Sequence, residues 1–234
     1  MIEESRHLAI GGLIFEGMDQ ADLTGPFEVL SRIPNSKYTI YGLSDKPVRD
    51  MRGLILTPDE VIENAPKLDV LHIPGGPGQE ALMENSAVLD FIGKQSENAE
   101  LVFSVCTGAL LLGAAGLLRG KRATTHWASF DLLPMFGALP IDERIVIDGK
   151  FVFASGVTSG LDGALVVASI LRGDETAQVI QLALQYSPEP PFFAGTPAQA
   201  PKAVLEKARA DFKDIVERRK ITARKIAEKI GIAY

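Results

Sequence analysis

One cysteine, Cys106, stands in the run from Leu101 to Gly116, between an apolar stretch that reads as a strand and a second that reads as a helix. A thiol at that junction sits at a helix N-terminus, where unpaired backbone N–H groups and the macrodipole favour the thiolate and lower its pKa. Thr107, Gly108 and Ala109 follow, small residues that permit a sharp strand-to-helix turn. Such a nucleophile elbow lets the N–H of the next residue, here Thr107, hold a developing anion. The same cysteine also reads as a small buried apolar side chain, and the residues alone leave both readings open.

Asp22 is the carboxylate best placed to join it, in a loop after the first strand and just before a helix start at Thr24-Gly25-Pro26. A thiolate and a carboxylate in contact share one proton; the helix end favours charge on sulfur and the proton on Asp22. The competing reading is an aspartate that serves only the loop or the helix start. Pro74-Gly75-Gly76-Pro77-Gly78 lacks dinucleotide-fingerprint spacing and a P-loop lysine. Gly75 and Gly76 can turn backbone N–H groups toward an anion, or simply form a tight turn. Of the three histidines, only His126, in Thr124-Thr125-His126-Trp127, is positioned to approach Cys106. A Cys-His dyad would suit a thiol hydrolase; pocket lining by His126 and Trp127 is the reading carried forward. No spaced cluster of His, Cys and carboxylate predicts a metal site.

The elements that must position these groups alternate. Strands are predicted over Leu8–Phe15, Lys37–Leu43, Leu68–Ile73 and Leu101–Val105, and a hairpin over Arg144–Ala154 turning at Asp148-Gly149. Helices are predicted over Gln79–Met83, Ala87–Gln95, Ala128–Phe136, Ser159–Leu171 and Glu175–Gln185. A last one, over 203–230, carries an apolar stripe at Val204, Ala208, Phe212 and Ile215 that could dock on the body or on a second chain. This alternation implies a doubly wound α/β fold, with a mostly parallel sheet covered by helices on both faces. Ligands in such sheets bind beyond the carboxyl ends of the strands, where the loops after Phe15, Ile73 and Val105 all lie.

At 234 residues, 46% apolar and 23% charged, the chain is expected to form one domain over 1–234. One cysteine excludes an internal disulfide, and an acidic N-terminus is unlike a secretory signal, so a cytoplasmic location is expected. No stretch is long and apolar enough to predict a membrane span. Residues 201–234 carry ten Lys/Arg against five Asp/Glu, while the net charge is −6, so the body is acidic and nucleic-acid binding is not expected. The basic tail has the flavour of half a helix-turn-helix but no recognition helix follows; it is read as a solvated, charged helix face.

Pro74-Gly75-Gly76, Ser104-Val105-Cys106-Thr107-Gly108 and Lys121 to Trp127 resemble the ThiJ/PfpI superfamily over nearly the whole chain, which implies a flavodoxin-like fold. Within it, Asp22-Leu23-Thr24-Gly25-Pro26, the elbow and Leu184 to Pro197 resemble the isonitrile hydratase group, whose activity converts an isocyanide to an N-substituted formamide. The resemblance implies Cys106 as nucleophile, Asp22 as acid/base, Thr107 as a polar partner needed for activity, no cofactor, a small-molecule isocyanide as substrate, and a homodimer. Many relatives carry glutamate at the acid position; aspartate is one methylene shorter, which changes the room over the sulfur. Protease-like members place histidine directly after the cysteine, and Thr107 departs from them. Transcription regulators share several of these segments but append DNA-binding helices. Two rival classes stand beside the hydratase: a thiol enzyme acting on glyoxals, and a sensor whose cysteine is oxidised.

Overall fold

The apolar runs become the centre of a sheet because they are buried on both faces, as parallel strands under helices must be. The computed structural model describes residues 1–232. In chain order the elements are β1 (Leu8–Leu13), α1 (Ala21–Leu30), β2 (Ser36–Gly42), β3 (Val48–Arg49), β4 (Ile55–Leu56), β5 (Glu60–Val61), β6 (Val70–Ile73), α2 (Gln79–Leu82) and α3 (Ser86–Asn98). They continue with β7 (Leu101–Val105), α4 (Gly108–Ala114), β8 (Arg122–Ala123), β9 (Leu139–Pro140), β10 (Ile145–Asp148), β11 (Phe151–Ala154), α5 (Ser159–Arg172), α6 (Asp174–Ala183) and α7 (Lys202–Ile230). Trp127–Phe136 is 3-10 helix, within which Pro134 supplies no N–H.

Seven strands form the main sheet in the order β10-β11-β7-β6-β1-β2-β5. All of its pairings are parallel except β10 with β11. The fold is thus the expected flavodoxin-like α/β sheet with helices around it. Side chains alternate between two cores. Val70, Phe103, Val105 and Val152 pack on one face with Ala164, Val167 and Leu171 of α5. Leu71, Ile73, Val102 and Phe153 pack on the other with Leu110 and Leu111 of α4 and Ala223 and Ile226 of α7. Each fully buried side chain of this size contributes roughly 1.5–3 kcal/mol. The loops that follow β1, β6 and β7 therefore converge at one edge of a rigid platform.

Three features differ from the sequence reading. Helix α1 begins at Ala21 rather than near Thr24, so Asp22 lies in its first turn and Pro26 inside it. The start is set earlier by Asp19, whose Oδ1 accepts the Ala21 N–H at 3.1 Å. The hairpin closes around Gly149 and Lys150, since Asp148 is still paired with Phe151, and Gly149 supplies the positive φ of 61°. The charged face of α7 is only part of that helix: Arg219, Thr222, Ala223, Ile226 and Ala227 are buried. No described helix is long and apolar enough to cross a membrane.

Candidate active site

Cys106 is the pivot between β7 and α4 and holds φ at 56°, the left-handed region that a residue with a side chain seldom occupies. Backbone bonds on both sides impose it: the Cys106 N–H donates to the Ala154 carbonyl at 2.9 Å, and the Thr125 hydroxyl donates to the Cys106 carbonyl at 2.8 Å. Such a conformation costs about 1–3 kcal/mol and persists where the surroundings over-determine it. The thiol is almost wholly buried and lines a cavity of about 490 Å³ with Gly76, Thr107, His126 and Arg219. Its apolar wall comes from Met51, Leu54, Val157, Phe212 and Ile215.

The structure brings Asp22 to this thiol. Its side chain is fully buried, Oδ2 accepts the Gly75 N–H at 2.9 Å, and Oδ1 is left without a hydrogen-bond partner. Burial first, and the charge of Asp19 second, push Asp22 up to about 8, against the Gly75 and Cys106 contacts. Asp22 accordingly keeps its proton at neutral pH. Pro26 has no N–H to give the Asp22 carbonyl four residues back. Nearby, the His72 imidazole bonds the Tyr38 hydroxyl at 2.7 Å through Nδ1 while its buried Nε2 has no partner, and burial lowers its pKa to about 3.

The thiol itself departs from expectation. Burial, then the Asp22 charge, push Cys106 up, while the Thr107 N–H and Arg219 oppose them. A helix of seven residues does not outweigh the loss of water around a sulfur anion. The thiolate exists here to the extent that Thr107 and Arg219 offset burial.

Thr107 and the two glycines form a knot beside the sulfur. Thr107 Oγ1 accepts the Gly76 N–H at 3.1 Å, and the Gly75 N–H is already committed to Asp22. Neither glycine therefore offers the spare anion donor that the sequence suggested; the Thr107 N–H is the donor directed at the thiol. The glycines are needed for close approach: a Cβ on Gly75 would lie 2.5 Å from the Thr107 nitrogen, and one on Gly76 would lie 2.1 Å from the Asp19 nitrogen.

His126 lines the cavity but behaves as a wall. Its Nδ1 accepts the Ala128 N–H at 3.3 Å, its ring packs on Phe212 at 5.2 Å, and burial followed by Arg219 lowers its pKa to about 4. Trp127 lies outside the Cys106 cavity and packs edge-on against Phe212 at 5.5 Å. Among the described residues no group of three His, Cys, Asp or Glu side chains could hold a metal ion.

Arg219 was missed by sequence reasoning. Its side chain is buried and donates through Nη2 to the Gly76 carbonyl at 2.8 Å and to Thr107 Oγ1 at 3.3 Å. The signal was present: the stripe Val204, Ala208, Phe212, Ile215 continues in steps of three and four to 219, so this arginine stands on the docking face.

Residues 10–169 match the DJ-1/PfpI family. The chain is 50% identical over 202 residues to isonitrile hydratase of Pseudomonas putida, covering 86% of this chain and 89% of that protein. It is 27% identical over 136 residues to the glutathione-independent glyoxalase DJR-1.2 of Caenorhabditis elegans, covering 57% of this chain and 73% of that protein. The crystal structure of a ThiJ/PfpI family protein from Pseudomonas syringae superposes with a TM-score of 0.91 at 35% identity, covering 93% of this chain and 91% of that one.

Proposed function

The chain belongs to the DJ-1/PfpI family, and from that membership we propose that it is a hydro-lyase of the isonitrile hydratase type, adding water to an isocyanide to give an N-substituted formamide. The observation that carries this reading is a fully buried Asp22 carboxyl, pushed up to about 8 by that burial, behind the Cys106 thiol that lines a largely apolar cavity. An isocyanide needs a nucleophile and a proton at the same terminal carbon, and this pair offers both without a cofactor. The identity to the Pseudomonas putida hydratase supports the substrate class.

In the reaction, the Cys106 thiolate attacks the isocyanide carbon and Asp22 delivers its proton to that carbon, leaving a thioimidate and an Asp22 carboxylate. The carboxylate takes a proton from water as the hydroxide adds to the same carbon, and that proton passes on to nitrogen. Asp22 then removes the hydroxyl proton as the C–S bond breaks; the thiolate and the carboxylic acid are restored and the formamide departs. The Thr107 N–H faces the anionic sulfur at the start and the end of this cycle. His126, held neutral, shapes the wall and carries no proton. Residues 1–234 act as one catalytic domain, since Phe212, Ile215 and Arg219 of α7 close the cavity.

Purified protein incubated with an alkyl isocyanide should release the formamide, detected by mass, and Cys106→Ala should release none. Equal null results for both proteins would remove isocyanide hydration. A parallel arm with methylglyoxal examines the glyoxal reading; turnover of methylglyoxal alone, abolished by Cys106→Ala, would replace the hydratase assignment.

A further inference from the structure

Arg219 reaches the site from α7, a helix that lies beyond residues 10–169 matched to the family. The side chain is buried, yet all four of its hydrogen-bond acceptors are neutral: Gln79 Oε1 at 3.1 Å, Ser129 Oγ at 3.2 Å, the Gly76 carbonyl at 2.8 Å and Thr107 Oγ1 at 3.3 Å. None of the ion pairs among the described residues includes it. A guanidinium does not give up its proton in a protein, and a buried charge without an opposite one is strongly disfavoured. An anion forming on this surface would meet a cation already in place.

The groups around it identify that partner. Asp22 and Asp19 face the sulfur from the side of α1, and Asp19 Oδ1 is taken by the Ala21 N–H. Asp50 and Arg52 line the same cavity, with Asp50 Oδ1 taken by the Arg52 and Leu54 N–H groups; none of these carboxylates is within ion-pair distance of Arg219. Glu80 of α2 lies beyond ion-pair distance and is taken by the Thr222 hydroxyl at 2.8 Å. His126 stays uncharged through neutral pH, and Arg218 is a second cation on the same helix. Cys106 is left as the ionisable group whose anion most favours the charged guanidinium.

We infer that Arg219 is the standing counter-charge for the Cys106 thiolate, and that it positions Thr107 and Gly76 beside the sulfur through the two bonds of Nη2. It is a positioning residue, acting through space and through Thr107 without touching the reacting carbon. The assignment rests on Cys106 being the nucleophile, as proposed above, and is independent of the substrate's being an isocyanide.

The test is the pH dependence of Cys106 alkylation by iodoacetamide, read on the full chain, in which this is the one thiol. Arg219→Gln keeps hydrogen-bond donors and loses the charge; its alkylation midpoint should rise by about one pH unit, or roughly tenfold slower labelling at neutral pH. Arg219→Lys should stay nearer the wild type. Gln79→Glu, which sets a carboxylate against Nε without removing the arginine, should move the midpoint in the same direction as Arg219→Gln. A folded Arg219→Gln protein with an unshifted midpoint overturns the assignment. Should that variant fail to fold, an unshifted midpoint in Gln79→Glu overturns it instead. A purely structural arginine would lower the melting temperature and leave the midpoint in place. Because the readout is alkylation, a failed hydration assay does not decide it.

Discussion

Asp22→Asn should make the protein more stable while making it a poor enzyme. In the native chain Asp22 is pushed from 3.8 up to about 8, chiefly by burial, whereas in the unfolded chain it ionises normally. Between those values the native state binds one proton that the unfolded state has released, so stability falls by about 1.4 kcal/mol per pH unit across the window. The penalty is absent below 3.8, reaches roughly 4 kcal/mol at pH 7, and is complete above about 8. Asparagine is neutral at every pH and its Oδ1 can still accept the Gly75 N–H that Asp22 now accepts. Thermal melts of both proteins in steps from pH 4 to pH 8.5 should show the variant melting on the order of 10 °C higher at neutral pH. The gap should close toward pH 4. Turnover should drop by about 10²–10⁴-fold, the usual contribution of a positioned proton donor. A variant no more stable than wild type at pH 7, or a gap that does not change with pH, would mean that Asp22 is ionised in the native state. The proton-donor role would fall with it.

The same protonation predicts that turnover declines as pH rises through about 8, where Asp22 loses its proton; a kcat profile flat to pH 9.5 would exclude it as the donor. Gly75→Ala would press a Cβ to 2.5 Å from the Thr107 nitrogen; the loop should shift, with about 1–3 kcal/mol of stability lost in urea unfolding and hydration abolished. Thr107→Val removes the acceptor of both the Gly76 N–H and Arg219 Nη2, so it should lose about 1–3 kcal/mol and most activity, while Thr107→Ser keeps both; equal activities would relieve the hydroxyl of its role. His126→Asn should change KM for bulky substrates but leave the pH profile above pH 5 unaltered, because the ring is already neutral there.

The parts of this site that sequence reveals are those set by local rules. The elbow at Cys106 was legible because two apolar runs of different period meet there, and the convergence of the loops after β1, β6 and β7 follows from parallel topology. The two-residue strands β3, β4, β5 and β9 were not, since pairs that short carry no periodicity to read. Asp22 was placed in the right region and the wrong element: Pro26 looked like a helix start, but Asp19 had already begun the helix.

The thiol's charge state was misread for a deeper reason. A helix N-terminus lowers a pKa wherever it meets water, but Cys106 meets a fully buried carboxyl group and two packed loops, so desolvation sets the sign. Burial belongs to the whole fold and has no local signature. What opposes it comes from 113 residues further on, in Arg219, whose place on an apolar stripe was visible although its target was not. A nucleophile sealed from water requires an opposite charge brought in by some other element. A charged residue interrupting a docking face is therefore the sequence feature to pursue once a buried cysteine has been found.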